Sequence, residues 1–179
     1  MKTLRMSVTA SLVITFHAGW HASAADLVWT NTTGGNWSTP ANWEPNQVPG
    51  AADDAFITNA GTYTVTINAS STAAMLLVGA DAGTQTLSLA GSLTGATVLA
   101  RGGAQLVAAG GTLNAVTLDG HVSIANGNSL RVVNGLTLTN GATITLNSAG
   151  NYTYLEVFSG TQTIGGDGQI IFGGSAPAN

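Results

Sequence analysis

No cysteine occurs in the chain, and no lysine after Lys2. Without cysteine no disulfide can staple the fold, so a packed core must hold it together. Charged residues make up only 7% of the sequence, far below the usual quarter. Beyond residue 24 the only cations are Arg101 and Arg131. They stand against eight acids (Asp26, Glu44, Asp53, Asp54, Asp81, Asp119, Glu156 and Asp167), so the formal charge of residues 25–179 is −6, compared with −4 for the whole chain. A nucleic-acid surface needs clustered Lys or Arg to release counterions, and two separated arginines do not supply one. Helical periodicity is missing outside the first residues, so almost no helix is expected. So little charge also argues against disorder, because disordered chains are charge-rich and lack regular β-branched alternation.

What the sequence does have is a repeat. VTLDGHVSI (116–124) can be laid on LTLTNGATI (136–144), with Val116 and Leu136, Leu118 and Leu138, and Ile124 and Ile144 each 20 positions apart. Apolar and polar residues alternate within both copies, as in half-buried strands. Asn126-Gly127, Asn134-Gly135 and Asn140-Gly141 supply corners that accept positive φ. Short strands repeating about every 20 residues with Gly/Asn corners predict a β-solenoid. The fold class expected is all-β: a single-stranded, right-handed parallel β-helix with an aromatic N-terminal cap.

Further strands are expected at TYTVTI (62–67), LSLAGSLTG (87–95) and VLARGGAQL (98–106), the last lying 18 residues before VTLDGHVSI. AMLLV (74–78) is an uninterrupted apolar run, expected to be buried on both sides. YLEVF (154–158) follows 21 residues after the 136 strand when Val157 is matched to Leu136, and QTI (162–164) and QIIF (169–172) come next. Val116, Leu118, Val122, Ile124, Leu136, Leu138, Ile144 and Leu146 should point inward. Thr117, His121, Ser123, Thr137, Thr143 and Thr145 should then face water as hydroxyl-rich ladders.

Residues 1–24 read as a secretory signal peptide. Lys2 and Arg5 give the positive start, residues 7–16 the short apolar run, and Ala22-Ser23-Ala24 the small-residue cleavage pattern. His17, Gly19 and His21 interrupt the run before it reaches the roughly 20 residues that a membrane span needs. The mature chain is expected to start near Ala25, with no transmembrane segment left after cleavage. The remaining domains are a Trp-rich cap at 25–60, solenoid repeats at 61–174 and a short tail at 175–179. QIIFGG (169–174) still reads as an array strand, and five small residues cannot cover an open rung. The C-terminal end is therefore expected to associate end to end or to continue into more solenoid.

The cap segment holds Trp29, Trp37 and Trp43 and three of the four prolines. By contrast only Gly19, Gly34, Gly35 and Gly50 precede Gly61 among 24 glycines. Large aromatics over a solenoid end would cover its open core. The alternative is display: Trp29, Trp37 and Trp43 as a carbohydrate contact, their faces stacking on sugar rings. Within this segment Gly35-Asn36-Trp37-Ser38, Asn42-Trp43, Pro49 and Asp53-Asp54-Ala55-Phe56-Ile57 form a G-x-W-S…N-W…P…D-D-x-x-I pattern. It resembles the opening of bacterial secreted and cell-surface β-helix repeat proteins of the autotransporter-passenger type. GGTLNAVTLDG (110–120) and SGTQTIGGDGQIIFGG (159–174) are similar to rungs of the same proteins. The resemblance covers most of residues 25–179. It implies extracellular, cell-surface or outer-membrane passenger material of a structural or adhesive kind, and it supplies no catalytic residue.

Side chains that could carry chemistry are few. His121, the only histidine past residue 24, stands near Asp119, but one Asp-x-His pair does not make a triad. No convergent set of ligands for zinc can be assembled. Neighbours on a strand face opposite sides, so Asp53 and Asp54 should not work as a pair. One of them is expected to brace the cap turn, with calcium as the alternative. Gly165-Gly166-Asp167-Gly168 lacks the second Asp of a calcium-binding β-roll repeat. Polysaccharide-acting β-helix enzymes gather carboxylates or cations on consecutive rungs. Here Asp81, Arg101, Asp119, Arg131, Glu156 and Asp167 are scattered, and an Asp119–Arg131 ion pair is the most they promise. No catalytic residue, metal or cofactor is expected. Three functions are carried forward: a secreted structural or adhesive β-solenoid, a carbohydrate-binding module using the tryptophans, and a polysaccharide-acting enzyme. Expected partners are glycans or other surface proteins.

Overall fold

The computed structural model describes residues 24–158 and 160–175. The signal segment lies outside the described residues as far as residue 23, and so do residues 176–179 of the tail. The described chain is a β-solenoid of three faces. On the first face Asp26–Trp29, Asp54–Ile57, Met75–Val78, Thr97–Ala100, residues 116–119 of Thr112–Asp119, residues 136–138 of Ser129–Leu138, and Ile164–Gly166 stack in parallel. The second face stacks Gly35–Asn36, Tyr63–Ile67, Gln85–Leu89, Gln105–Ala108, His121–Ala125, Thr143–Ser148 and Gln169–Gly174, again in parallel. Ser70–Thr72, Ser92–Thr94, residues 112–114, residues 129–133 and Tyr154–Val157 build the third. About five complete turns result. Among the described residues the single helical element is a 3-10 turn at Pro40–Asn42.

Strand alternation decides what is inside. Every residue expected to point inward is buried: Val116, Leu118, Val122, Ile124, Leu136, Leu138, Ile144 and Leu146. Between them Thr117, His121, Ser123, Thr137, Thr143 and Thr145 keep contact with solvent. Leucines and valines of all three faces meet on the axis. The gap enclosed by Leu87, Leu93, Val98, Leu106, Leu113, Leu118 and Val122, with Leu89, has a volume of only about 10 Å³. Each such side chain contributes roughly 1.5–3 kcal/mol by leaving water, and a gap this small is at the lower limit of what one water molecule needs.

The register differs from expectation wherever corners change length. Val116 pairs with Leu136 and Leu118 with Leu138, but Ile124 pairs with Leu146, and it is Val122 that pairs with Ile144. Four chain steps separate Leu118 from Val122, whereas six separate Leu138 from Ile144. The extra pair is the Asn140-Gly141 corner, both residues left-handed at φ 55° and 71°. Because the insertion is even, the inward set is unchanged. Val98 pairs with Leu118 at 20 residues, not with Val116 at 18. Likewise Leu136 pairs with Ile164, while Val157 stacks on Val132 in the third face. The AMLLV run is buried on one side only: Leu76 and Val78 face the core, and Met75 and Leu77 are half-buried on the outside.

Close stacking also fixes where glycine is required. Gly79 has φ +126°, and a Cβ there would fall on the Arg101 carbonyl of the next turn. At this corner the two turns touch backbone to backbone, which leaves no room for a side chain pointing along the axis.

The parallel stack begins before residue 61. Asp26–Trp29 and Asp54–Ile57 already pair within the first face, so the Trp-rich segment supplies the opening turn itself. Trp43–Glu44 then folds back antiparallel on the free edge of Asp26–Trp29, Val28 opposite Glu44 and Trp29 opposite Trp43. At the other end Tyr152, Tyr154, Val157, Phe158, Ile170, Ile171 and Phe172 are exposed. No further strand is stacked beyond them among the described residues.

Candidate functional site

The three tryptophans are buried, Trp29 and Trp37 at 0% and Trp43 at 1% exposure. Trp43 is the middle ring, meeting Trp29 edge-on at 5.2 Å and Trp37 at 4.7 Å between centroids. The Trp29 Nε1–H donates to the Asn31 carbonyl at 2.7 Å, and that of Trp43 to the Trp37 carbonyl at 2.8 Å. Asn31 and Asn42 are joined to each other at 3.0 Å, and Asn59 donates to the Trp29 carbonyl at 2.8 Å. These asparagines tie the loops of the first turn together. No indole face is left to stack on a sugar, so the expected contact through Trp29, Trp37 and Trp43 is corrected: packing inside the opening turn consumes all three.

The charged residues also sort differently from expectation. Asp119 pairs with Arg101, Nη1 to Oδ1 at 3.0 Å and Nη2 to Oδ2 at 2.6 Å, and Asn140 of the next turn donates to Oδ2 at 2.7 Å. Arg131 is held instead by Glu156, 2.9 Å from Nη2, with its guanidinium 4.7 Å from the Phe158 ring centre. The expected Asp119–Arg131 pair is therefore replaced by two pairs, each joining neighbouring turns. The Arg101 guanidinium, then the Asn140 amide, hold the Asp119 carboxyl below the usual carboxylate range. A lowered carboxyl stabilises the fold above its unfolded value, about 3.9, and that contribution is lost as pH falls through the folded value. Asp119→Asn should thus lower the urea midpoint at pH 7, with the gap to wild type closing as pH falls below the ordinary carboxylate range. A gap of constant size across that range would contradict the ion-pair account.

His121 lies outside, its ring Nδ1 2.8 Å from the Thr143 hydroxyl. The neighbouring Asp119 carboxylate is already engaged by Arg101 and Asn140. Asp53 turns inward and Asp54 is half-buried on the outer side. The Asp53 carboxylate accepts the Gly50 N–H at 2.8 Å and the Ala25 N–H at 3.0 Å, which makes it the brace of the opening turn. Among the described residues no three His, Asp or Glu side chains converge to hold a metal. None of the described helices is long and apolar enough to cross a membrane.

What the fold does assemble is the outer surface of the second face. Strand register aligns Thr64, Thr86, Gln105, His121, Thr143 and Gln169 in one file, and Thr66, Ser88, Val107, Ser123, Thr145 and Ile171 in the next. Neither file contains Asp, Glu, Lys or Arg. In mid-face a groove of about 410 Å³ opens between Gln105 and His121 on one side and Thr145 and Asn147 on the other, floored by Val107 and Ser123. The Asn147 amide donates to the Ser123 hydroxyl at 2.9 Å, fixing that wall. A second depression of about 330 Å³ follows the corner at Ala115, Asn134 and Gly135. The His121–Thr145 groove has no signature in the sequence, since its walls come from strands up to 42 residues apart (105 to 147). The geometry defines a β-solenoid with a polar, nearly uncharged side. Comparison with protein-family models, curated proteins and solved structures returned no match for the chain.

Proposed function

We propose that the chain is a secreted structural and adhesive β-solenoid of bacterial cell-surface or extracellular passenger type, which attaches to neutral polysaccharide through its second face. The observation that carries this reading is the pair of uncharged hydroxyl and amide files with the His121–Thr145 groove between them. Hydroxyls and amides exchange hydrogen bonds with sugar hydroxyls without desolvating an ion. Val107 gives the groove an apolar floor for the C–H side of a sugar ring. Many weak contacts along a rigid rod give attachment through multivalency. Secretion is supported by the pattern of residues 1–24, and the reading assigns no reaction to the protein.

Retention of residues 25–179 on immobilised neutral glucans and mannans, compared with acidic polysaccharides, tests it. Binding to the neutral polymers should change little with salt, since no charge pair is involved. Val107→Glu should reduce retention at least about tenfold with the unfolding midpoint unchanged. Thr117→Glu, on another face, should leave retention intact. Absence of retention on every neutral polymer, or equal losses from the two substitutions, would rule the reading out.

A further inference from the structure

We infer that cleavage between Ala24 and Ala25 completes the fold, because the new α-ammonium of Ala25 forms a buried ion pair with Asp53. This rests on the reading of residues 1–24 as a signal peptide. Asp53 is 6% exposed, and its two carboxylate oxygens face backbone nitrogens, Ala25 at 3.0 Å and Gly50 at 2.8 Å. Among the described residues no side-chain cation serves it: Arg101 is engaged by Asp119 and Arg131 by Glu156. A buried carboxylate held only by neutral donors keeps an uncompensated charge, a costly arrangement.

The surroundings deepen the deficit. Asp26 stacks directly beside Asp54 on the outer side of the same two strands, and Glu44 lies opposite Val28 on the strand that closes the edge. All the ionisable groups of these three strands are acids. The Ala25 backbone is itself fixed, since its carbonyl accepts the Asp54 N–H at 2.9 Å.

Ala22-Ser23-Ala24 is the small-residue pattern after which a signal peptidase cuts. The cut hydrolyses the Ala24–Ala25 amide: the C–N bond breaks, the oxygen of water goes to the Ala24 carbonyl carbon, and both of its protons end on the Ala25 nitrogen, leaving a carboxylate on Ala24 and an ammonium on Ala25. The nitrogen that bonded Asp53 as a neutral amide becomes an ammonium with three N–H donors. Its hydrogen bond to the carboxylate becomes charge-assisted, roughly twice as strong as a neutral one. A cut one residue to either side would put the amine on a different residue, about 3.8 Å along the chain from the nitrogen that Asp53 holds.

The ion pair is tested on residues 25–179 made with a free Ala25 amine or with that amine acetylated, each with Asp53 or with Asp53→Asn. Acetylation restores the neutral amide of the uncut chain. The free-amine protein should melt about 3–6 °C higher than its acetylated form at pH 6. That gap is full below about pH 7.7, the ordinary value of an α-amine, and should vanish as pH rises through the titration of the amine in the folded protein. In the Asp53→Asn background the gap should be absent at every pH. No gap at pH 6, or the same gap without Asp53, overturns the ion pair. Independently, the full chain expressed in a secreting bacterium should yield an N-terminal peptide beginning at Ala25 by mass spectrometry. A different start overturns the processing reading, whichever way the thermal comparison falls.

Discussion

Leu138→Asp is expected to dissolve the C-terminal turns of the solenoid, whereas Thr137→Asp, one residue away, should leave it nearly as stable as before. Leu138 is 3% exposed and stacks on Leu118 of the preceding turn. The substitution forfeits the packing of a leucine, about 2–5 kcal/mol by truncation alone. It also leaves a buried carboxylate with no partner, which adds several kcal/mol. The sum rivals the whole stability of an ordinary domain, roughly 5–15 kcal/mol. Thr137 points to solvent, where a surface change stays within about 0.5 kcal/mol. In a solenoid each turn is supported by its neighbours, so the loss should be graded along the axis. Trp29, Trp37 and Trp43, the only tryptophans past residue 24, all sit in the opening turn. For residues 25–179 of Leu138→Asp, tryptophan emission should therefore stay native while the β-sheet circular dichroism falls. Equal losses from Leu138→Asp and Thr137→Asp would show that the inward face has been misassigned.

That such a pair of variants can be named follows from how the sequence encodes this fold. Period-two alternation is a local property, and any side chain flanked by a strand's own neighbours has its face decided within a few residues. Hence Val116, Leu118, Val122 and Ile124 are legible as core from alternation alone. Corner length is different. The Asn140-Gly141 insertion lies at the surface with positive φ, and its contacts, Asn140 to the Asp119 carboxylate and the Gly141 N–H to Asp167, are made across turns and leave no mark in the local pattern. Two extra residues there change no apolar pattern, so the 22-residue step from Val122 to Ile144 reads as 20. The outer groove is illegible for the same reason, because Gln105, His121 and Asn147 are brought together only by register summed over three turns. Trp29, Trp37 and Trp43 pose another problem. An indole beside Asn and Gly can be packed or displayed, and only the geometry of the loops, with Asn31, Asn42 and Asn59 turned onto backbone, decides for packing.

Trp43→Ala carries the second large effect, and it should be confined to the other end. Trp43 is the ring shared by both edge-to-face contacts, each worth about 0.5–1.5 kcal/mol beyond buried area. Its Nε1–H also satisfies the Trp37 carbonyl inside the turn. Truncation removes all of this and opens a cavity, for an expected loss of about 3–5 kcal/mol. The residue sits in the two-residue strand that covers the edge of Asp26–Trp29, so its loss uncovers backbone that nothing else pairs. Amide exchange should accelerate in Asp26–Trp29, Asp54–Ile57 and Tyr63–Ile67, while His121–Ala125 and Thr143–Ser148 keep their protection. The two remaining tryptophans should shift to longer-wavelength emission as water enters, with most of the circular dichroism retained. Trp43→Phe should recover the edge contacts but not the hydrogen bond, and so fall between alanine and wild type. Uniform loss of protection along the chain after Trp43→Ala would mean that the opening turn nucleates the entire stack rather than covering one end of it.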